Sequence, residues 1–346
     1  MTAPETLVSV TTPVHDEAAV LAGTAPTILG QDWPEIEFLF VDGRSTDGSR
    51  ERLEALAASD ARVRVLDNPA GDLASALQIG LDAARGAYVA KLDAHTYFPP
   101  AYVRLGVERL RRGGAAWVSG PPVPFGIDAG SRRVAAVLGT WLGVGGSSKW
   151  ARSGAGDEDE ERELDTGVFS GVWETAGLRR HGGWNPEWPV NEDAELASRY
   201  LAAGEKIVCV PAMAARYVPR STLRGLGRQY WRYGFYRAKT AARHTGSLRR
   251  SALLAPGLAA ALAVFVLGGR VGRRLAGPGL AAYLGVAGWT AASLRDELGI
   301  TGAAHAVPLY ATMHLAWGFG FLAGCARFGP PTDLREHLPR TPTHDG

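Results

Sequence analysis

A carboxylate and an imidazole lie two residues apart after a short apolar run, in the sequence Asp93-Ala94-His95. Residues two apart on a strand point to the same side, so Asp93 and His95 can act together. A carboxylate oxygen and an imidazole nitrogen can hold a divalent cation that bridges the two phosphates of a nucleotide, and these donors suit Mg²⁺ or Mn²⁺. The alternative is a turn aspartate beside a surface histidine.

A second group of carboxylates opens a helical pattern that ends near residue 203. The group consists of Glu192, Asp193 and Glu195. Acidic side chains at a helix N-terminus are favourable on dipole grounds alone, which is the structural explanation. The chemical explanation is that one of them is a general base that removes a proton from an attacking hydroxyl. Spacing alone does not choose among the three.

Asp42 follows the apolar run 37–41 and precedes Gly43, so the chain can turn there and present the carboxylate to a ligand. A carboxylate in this position can accept hydrogen bonds from ribose hydroxyls or from a base N–H. The alternative is that Ser45 or Asp47 only caps the next helix, which would still leave Asp42 for binding.

Alternating strands and helices must position these groups. Apolar, β-branched runs predict strands at residues 7–12, 37–41, 62–66 and 88–92, and helical patterns occupy residues 16–29, 49–58 and 72–84. This alternation predicts an α/β fold with a mostly parallel central sheet. Because ligands bind at the carboxyl ends of such strands, residues 13–17, 42–43 and 93–95 are expected to converge on one crevice.

Composition narrows the functional classes. The chain has 346 residues, 46% of them apolar, and a net charge of +2, so no overall field favours nucleic acid. Its two cysteines, Cys209 and Cys325, are too few for a disulfide framework and are expected to be buried and inert. No basic segment followed by an apolar core opens the chain, so no signal peptide is predicted and the catalytic part is expected in the cytoplasm.

The C-terminal third is strongly apolar. Residues 251–269, 275–294 and 303–326 predict two or three membrane-spanning helices, with Gly320 and Gly324 spaced for close helix packing. The expected organisation is a catalytic domain at 1–222, an amphipathic interfacial helix at 223–250, membrane helices at 251–328 and a polar tail at 329–346. Basic residues flank the first span on both sides, so the positive-inside rule does not fix the orientation.

Two further segments have alternative explanations. Aromatic and basic residues are mixed over 223–250, which indicates a helix at a membrane surface. Base stacking on RNA is a competing explanation that no accompanying nucleic-acid module supports. The acidic run 157–163, after the Gly/Ser-rich residues 143–148, is expected to be a solvated loop that closes over the site when a donor binds.

Five segments occur in the order typical of a known family. They are Val8-Ser9-Val10-Thr11-Thr12-Pro13-Val14-His15-Asp16-Glu17, Val41-Asp42-Gly43-Arg44-Ser45-Thr46-Asp47-Gly48, Leu92-Asp93-Ala94-His95, Asn191-Glu192-Asp193 and Gln229-Tyr230-Trp231-Arg232-Tyr233. Together they resemble glycosyltransferase family 2, which has the GT-A (Rossmann-like) nucleotide-sugar fold. The turn after residue 42, the Asp-Ala-His form and residues 228–234 and 313–321 are similar to the succinoglycan-biosynthesis glucosyltransferase (ExoA-like) subgroup.

The resemblance implies a role for each predicted site residue. It implies nucleotide contacts by Pro13, His15, Glu17, Asp42 and Asp93, metal binding by Asp93 and His95, a catalytic base at Asp193, and diphosphate or acceptor contacts by Glu192, Gln229 and Arg232. His95 stands where the family has a second aspartate, which leaves the choice between Mg²⁺ and Mn²⁺ open. Tyr233 stands where the family has tryptophan, so a processive polymer synthase is not predicted.

The implied activity is an inverting transfer from a nucleotide-diphosphate sugar, with UDP as the expected nucleotide, to the hydroxyl of a lipid-linked glycan. The expected location is the cell membrane, with several spans and the catalytic domain facing the cytoplasm. A nucleotidyltransferase and a catalytically degenerate membrane scaffold remain alternatives. A nicotinamide dehydrogenase is not predicted, because Pro13-Val14-His15 replaces the glycine-rich phosphate turn.

Overall fold

The computed structural model of the chain describes residues 6–145 and 160–335. The chain divides into two compact units, Met1–Arg220 and Ser221–Gly346. The division lies close to the expected end of the catalytic domain at residue 222.

Short strands alternate with helices through the first unit. The strands are β1 (Val8–Val14), β2 (Ile36–Asp42), β3 (Val63–Asp67), β4 (Tyr88–Lys91), β5 (Thr96–Tyr97), β6 (Trp117–Ser119), β7 (Pro122–Pro124), β8 (Arg162–Leu164), β9 (Gly171–Glu174), β10 (Ile207–Cys209) and β11 (Ala215–Tyr217). The helices are α1 (Ala18–Leu29), α2 (Ser49–Ser59), α3 (Leu73–Ala83), α4 (Tyr102–Arg111), α5 (Ala129–Leu138), α6 (Trp141–Val144), α7 (Thr175–Arg180) and α8 (Glu192–Ala202).

The main sheet has eight strands in the order β3-β2-β1-β4-β9-β6-β10-β8. Strands β3, β2, β1 and β4 are parallel, and β9 joins antiparallel to both β4 and β6. Beyond β6, strand β10 is parallel and β8 antiparallel. The four strands and three helices expected from the N-terminal sequence are all present, and the predicted α/β class is confirmed.

Alternation along the buried strands divides the core into two layers. On β2, Phe38 and Phe40 face a cluster that includes Leu21 of α1 and Leu53 of α2. Leu39, between them, faces a second cluster built on α3 and α8. Helices thus cover both faces of the sheet, as expected for parallel strands whose side chains are apolar on both sides. The layers hold the strand ends rigidly, and the site lies at those ends.

A small second sheet lies next to the end of β4. Its order is β5-β11-β7, and the backbone N–H of Val218 donates to the His95 carbonyl oxygen at 3.2 Å. Because β5 begins immediately after His95, this sheet fixes the chain as it leaves the predicted metal segment.

The acidic run expected to be a loop is part strand. Among the described residues, Arg162–Leu164 forms β8 and pairs with β10, while Glu161 contacts Arg109 and Arg112. The loop expectation is therefore wrong for this end of the run, because strand pairing and ion pairs hold it in place. Residues 146–159, which include the rest of the run and part of the Gly/Ser-rich segment, lie outside the described residues.

The second unit is helical. After α9 (Leu223–Arg243) come a short 3₁₀ helix (Arg250–Leu253), α10 (Leu254–Leu267), α11 (Gly269–Ala292), α12 (Arg295–Phe328) and α13 (Thr332–Arg335). Two helices are long and apolar enough to cross a membrane, Arg250–Leu267 and Arg295–Phe328. The segment expected at 275–294 is helical through Ala292 but is not apolar enough to count as a membrane span, since glycine and Pro278 interrupt its apolar run.

Helices α9 and α12 pack closely through glycine. A Cβ on Gly320 would lie 2.2 Å from the Trp231 carbonyl oxygen, and one on Gly324 would lie 2.5 Å from that of Phe235. The expected close packing at these two glycines is confirmed. The interfacial role predicted for 223–250 stays a prediction, and residues 336–346 of the predicted tail lie outside the described residues.

Candidate active site

The sheet register brings the first two predicted segments together. Val14 at the end of β1 pairs with Asp42 at the end of β2, which in turn pairs with Asp67 at the end of β3. The Gly43 N–H donates to the Val14 carbonyl oxygen at 2.7 Å. Strand β4 runs on the other side of β1, so Asp93 follows at the same edge.

The turns after β1 and β2 are locked together by hydrogen bonds. The Asp16 N–H donates to Ser45 Oγ at 3.0 Å, and the Thr46 N–H donates back to Asp16 Oδ1 at 2.7 Å. The Glu17 N–H donates to Ser49 Oγ at 2.8 Å. Side chains of one turn thus satisfy the backbone of the other, so the two turns form one structural piece.

Asp47 belongs to the same piece. Its Oδ2 accepts from the Ala18 N–H at 2.9 Å and its Oδ1 from the Ser49 N–H at 3.0 Å. It therefore joins the starts of α1 and α2. Gly48 is in the N-cap position of α2, and Asp47, one residue earlier, caps the first backbone N–H of the helix, as the capping alternative allowed.

Three non-glycine residues of the described chain have positive φ, and all three lie in the predicted site segments. They are Asp16 (φ 54°), Arg44 (φ 65°) and Asn191 (φ 62°). Residues other than glycine rarely adopt this conformation, and local strain of this kind concentrates at binding and catalytic sites. The segments chosen from the sequence are thus distinguished by backbone geometry as well.

Asp42 and the end of β3 line a cavity. Its volume is about 310 Å³ and its lining residues are Asp42, Arg44, Asp67, Asn68 and Pro69. Asp42 is buried, and Asn68 Oδ1 is buried without a hydrogen-bond partner in the structure. The carboxylates of Asp42 and Asp67 are among the groups that line the cavity, and such acceptors suit the N–H and O–H groups of a nucleoside.

Arg50 of α2 steadies this cavity. Its guanidinium contacts the Asp67 carboxylate, its Nε donates to Glu54 Oε1 at 2.8 Å, and its Nη1 lies 3.9 Å from Asp42 Oδ2. Sequence reasoning missed both Arg50 and Asn68. The available signal was position: Asn68 follows the strand after the one that ends at Asp42, and Arg50 lies in the first turn of the helix that follows Asp42.

The other predicted residues of the first turn have different surroundings. Pro13 is half-buried within β1 and pairs with Val41. His15 is exposed, and its Nδ1 donates to the Gly43 carbonyl oxygen at 2.7 Å. Glu17 contacts His95, with 3.2 Å between Oε1 and Nδ1. Direct nucleotide contact by these three residues stays a prediction.

Asp93 and His95 lie at the end of β4 with contrasting exposure. Asp93 is buried, whereas the His95 side chain is 30% exposed. Burial by itself lowers the pKa of His95, but the Glu17 hydrogen bond and the charges of Glu17 and Asp93 outweigh it, and the pKa is raised. Asp93 Oδ1 is buried and has no hydrogen-bond partner in the structure.

These donors fit a cation that is shared with a ligand. A carboxylate oxygen that accepts no hydrogen bond and an imidazole oriented by a second carboxylate match the way metal sites are commonly built. Within residues 6–145 and 160–335, however, no group of three or more His, Cys, Asp or Glu side chains could hold a metal ion. A bound diphosphate would have to supply further oxygens.

The structure separates the three candidate bases. Glu195 is buried and paired with Arg199 at 2.7 Å, and Glu192 is buried and paired with Lys91 at 2.9 Å. Asp193 is half-buried, and its Oδ1 accepts from the Ala194 N–H at 2.8 Å. Asp193 is thus the least buried of the three carboxylates.

Close packing fixes the backbone of Asp193. Gly167 precedes β9, and a Cβ built on it would lie 2.2 Å from the Asp193 carbonyl oxygen and 2.9 Å from the Trp117 ring. Only glycine leaves room for this approach. The turn that carries Asp193 is therefore held against the sheet.

Lys91 is a further residue near the predicted site that the sequence did not single out. It is 2% exposed, and its Nζ lies 2.9 Å from Glu192 Oε1 and 3.6 Å from Asp93 Oδ1. Burial by itself lowers the pKa of Lys91, but Asp93, Glu192 and Asp193 together raise it. The available signal was that Lys91 lies in a predicted strand in which the adjacent residues are apolar.

Gln229 and Arg232 lie on α9 in the second unit. Gln229 Nε2 donates to the Tyr233 hydroxyl at 3.0 Å, one helical turn away, and Arg232 is exposed. Their predicted contacts with diphosphate or acceptor stay predictions.

Comparison with known proteins gives the class of the molecule. The profile of Glycosyl transferase family 2 matches residues 9–180. The chain is 32% identical to the succinoglycan biosynthesis protein ExoA of Rhizobium meliloti (strain 1021) over 288 residues, which are 82% of this chain and 84% of that protein. The chain belongs to glycosyltransferase family 2 and is a glycosyltransferase, which confirms the resemblance at both the family and the subgroup level.

Two further comparisons agree. The chain is 34% identical to the uncharacterized glycosyltransferase EpsJ of Bacillus subtilis (strain 168) over 95 residues, 28% of each protein. The structure of the mannosyltransferase PcManGT from Pyrobaculum calidifontis, a complex with GDP-Man and Mn²⁺, superposes with a TM-score of 0.58 at 18% identity, covering 92% of this chain and 88% of that one. The fold is GT-A.

Proposed function

We propose that this glycosyltransferase moves a sugar from a UDP-sugar to the hydroxyl of a lipid-linked glycan, with inversion at the anomeric carbon. The observation that carries the proposal is the arrangement of Asp42, Asp93 and Asp193. The first lines a nucleoside-sized cavity, the second follows a neighbouring strand at the same end of the sheet, and the third lies in the first turn of α8. The ExoA relative, by its name, acts in succinoglycan biosynthesis, which supports a polysaccharide pathway.

Asp193 is the base in this proposal. Its carboxylate takes the proton of the acceptor hydroxyl, and the hydroxyl oxygen then attacks the anomeric carbon from the face opposite the diphosphate. The bond to the diphosphate breaks, and its electron pair leaves with the nucleoside diphosphate. A half-buried carboxylate suits this task, because it is more accessible to an acceptor than the buried carboxylates of Glu192 and Glu195.

Asp93 and His95 would hold a divalent cation, Mg²⁺ or Mn²⁺, together with the donor. Such a cation neutralises charge on the leaving diphosphate. The Glu17 contact uses His95 Nδ1, so His95 would bind through its other ring nitrogen. The PcManGT structure contains Mn²⁺, which supports a divalent metal in this fold. Gln229 and Arg232 are proposed to contact the diphosphate or the acceptor, whereas Glu192 is buried and bound to Lys91.

In this proposal the Asp42 carboxylate accepts hydrogen bonds from the nucleobase or the ribose. Removing a charged acceptor from a buried hydrogen bond costs about 1.5–3 kcal/mol, so Asp42→Ala should raise the donor KM roughly 10- to 100-fold. Asp42→Asn keeps an acceptor oxygen and should lose less. UDP-sugars should be preferred over GDP-sugars. A preference for GDP-sugars would overturn the choice of nucleotide but not the transfer reaction.

The membrane placement rests on the two apolar helices Arg250–Leu267 and Arg295–Phe328. We infer that the full chain is a multi-pass protein of the cell membrane, with its catalytic unit in the cytoplasm. Cell fractionation should recover the chain with membranes and require detergent for release. Protease added to intact cells should leave the first unit uncut.

A donor screen tests the activity. The full chain in detergent, supplied with Mg²⁺ or Mn²⁺ and a membrane lipid extract, should release UDP from a UDP-sugar and add one hexose-type mass to a lipid product. Asp193→Asn should abolish release, and Asp82→Asn, an exposed acid on α3, should not. Release of inorganic diphosphate would indicate the nucleotidyltransferase alternative. Unchanged pathway output with Asp193→Asn would indicate the scaffold.

A further inference from the structure

The interior of the first unit contains an ammonium group surrounded by carboxylates. Lys91 is fully enclosed in β4, the central strand between β1 and β9. Its Nζ contacts Glu192 from a segment 101 residues away in sequence, and it lies 3.6 Å from Asp93. Asp193 is close enough to act on its charge.

Stability alone does not explain this arrangement. Burial of an ion pair costs several kcal/mol per ion, and apolar residues of similar volume usually give an equally stable core. The neighbouring residues Val89 and Ala90 of β4, and Leu92 immediately after it, are apolar and fully buried. A lysine here therefore calls for a role that an apolar side chain could not fill.

The geometry supplies that role. Glu192 is the first residue of α8, Asn191 before it has positive φ, and Asp193 follows it. Three carboxylates meet at one edge, and without a cation between them they would repel one another at short range. A fixed ammonium that bonds Glu192 anchors the strained turn to β4.

We propose that Lys91 is a positioning residue, which binds Glu192 and thereby holds Asp193 in place relative to Asp93. The proposal rests on the proposed function, because Asp193 is taken as the base. Lys91 itself need not touch the substrate.

Three variants test the proposal. Lys91→Met removes the charge and keeps the length of the side chain, Glu192→Gln removes the partner charge, and the double variant removes both. Lys206→Met is the matched control, since Lys206 forms an exposed ion pair with Glu163 at the sheet edge. Each variant is compared by thermal unfolding, steady-state kinetics and amide hydrogen exchange.

The expected kinetic result is that both single variants lose kcat roughly 100-fold, as a misplacement of about 1 Å can cause. The double variant should lose no more than either single variant, because the two residues act as one unit. Its thermal midpoint should recover toward wild type, since no unpaired charge stays buried. Donor KM should change by less than about threefold, since a positioning role acts on turnover.

Hydrogen exchange gives a result that does not depend on activity. In Lys91→Met the amides in the first turn of α8 should exchange faster, while those of α3 keep their protection. Unchanged protection of these α8 amides would overturn the positioning proposal, whether or not the wild type is active. Inactivity of the wild type on every donor would overturn only the proposed function. Recovery of kcat together with thermal stability in the double variant would also overturn it, because the pair would then be structural only.

Discussion

Gly167→Ala should impair turnover by displacing the base rather than by removing it. The added Cβ would lie 2.2 Å from the Asp193 carbonyl oxygen, whereas real Cβ atoms essentially never approach within 3.0 Å. The backbone of Asp193 must therefore move by roughly 1 Å, and a shift of that size at a reacting group can cost about 100-fold in rate. The atom that meets the new Cβ is backbone, so no side-chain rotation relieves the contact.

The assay separates position from stability. Purified Gly167→Ala is compared with wild type for kcat, donor KM and thermal midpoint, with Gly177→Ala on α7 as the control, because a Cβ there meets only ordinary contacts at 3.6 Å and beyond. We expect kcat to fall about 100-fold and donor KM to stay near wild type. Overpacking also costs about 1–3 kcal/mol of stability, so rates are taken well below the lowered midpoint. Wild-type kcat in a folded variant would refute the claim that this contact positions the base.

Two other perturbations have clear expectations. Glu37 is buried and accepts hydrogen bonds from Ser9 and Arg85. Burial by itself raises the pKa of Glu37, but those bonds and the Arg85 charge lower the pKa below its usual value. The stabilisation of the fold by Glu37 is therefore present above about pH 4.5 and is lost as the pH falls through the folded-state pKa. Glu37→Gln should therefore lower the urea midpoint at pH 7 and lose less stability than wild type on acidification, and parallel pH curves would contradict this. Gly320→Ala should force α9 and α12 apart and lower the thermal midpoint in detergent, whereas Gly288→Ala, with open space around it, should be neutral; equal midpoints would mean that the packing carries no stability.

Much of the fold could be predicted because its signals are local. The strands β1 to β4 appear as short β-branched runs, and their parallel order follows from the helices between them. Asp42 and Asp93 could be placed at one sheet edge for the same reason. The later strands β6 to β11 have only 3 or 4 residues each, too few for periodicity to show.

The missed parts of the site depend on contacts distant in sequence. The partner of Lys91 is Glu192, and no pattern near either residue indicates the other. Gly167 is one of 44 glycines, and only the approach of Asp193 distinguishes it. The division of labour among Glu192, Asp193 and Glu195 likewise depends on which cation each one meets.

The left-handed backbone at Asp16, Arg44 and Asn191 limits how this enzyme can be improved. Glycine would relieve an estimated 1 kcal/mol or so at such a position, most of all at Arg44, because Asp and Asn tolerate the conformation better. The same substitution to glycine would make the backbone of the turn more mobile in the folded protein. Selection for heat resistance alone would therefore favour changes that erode turnover, and thermostable variants are better sought away from these three turns.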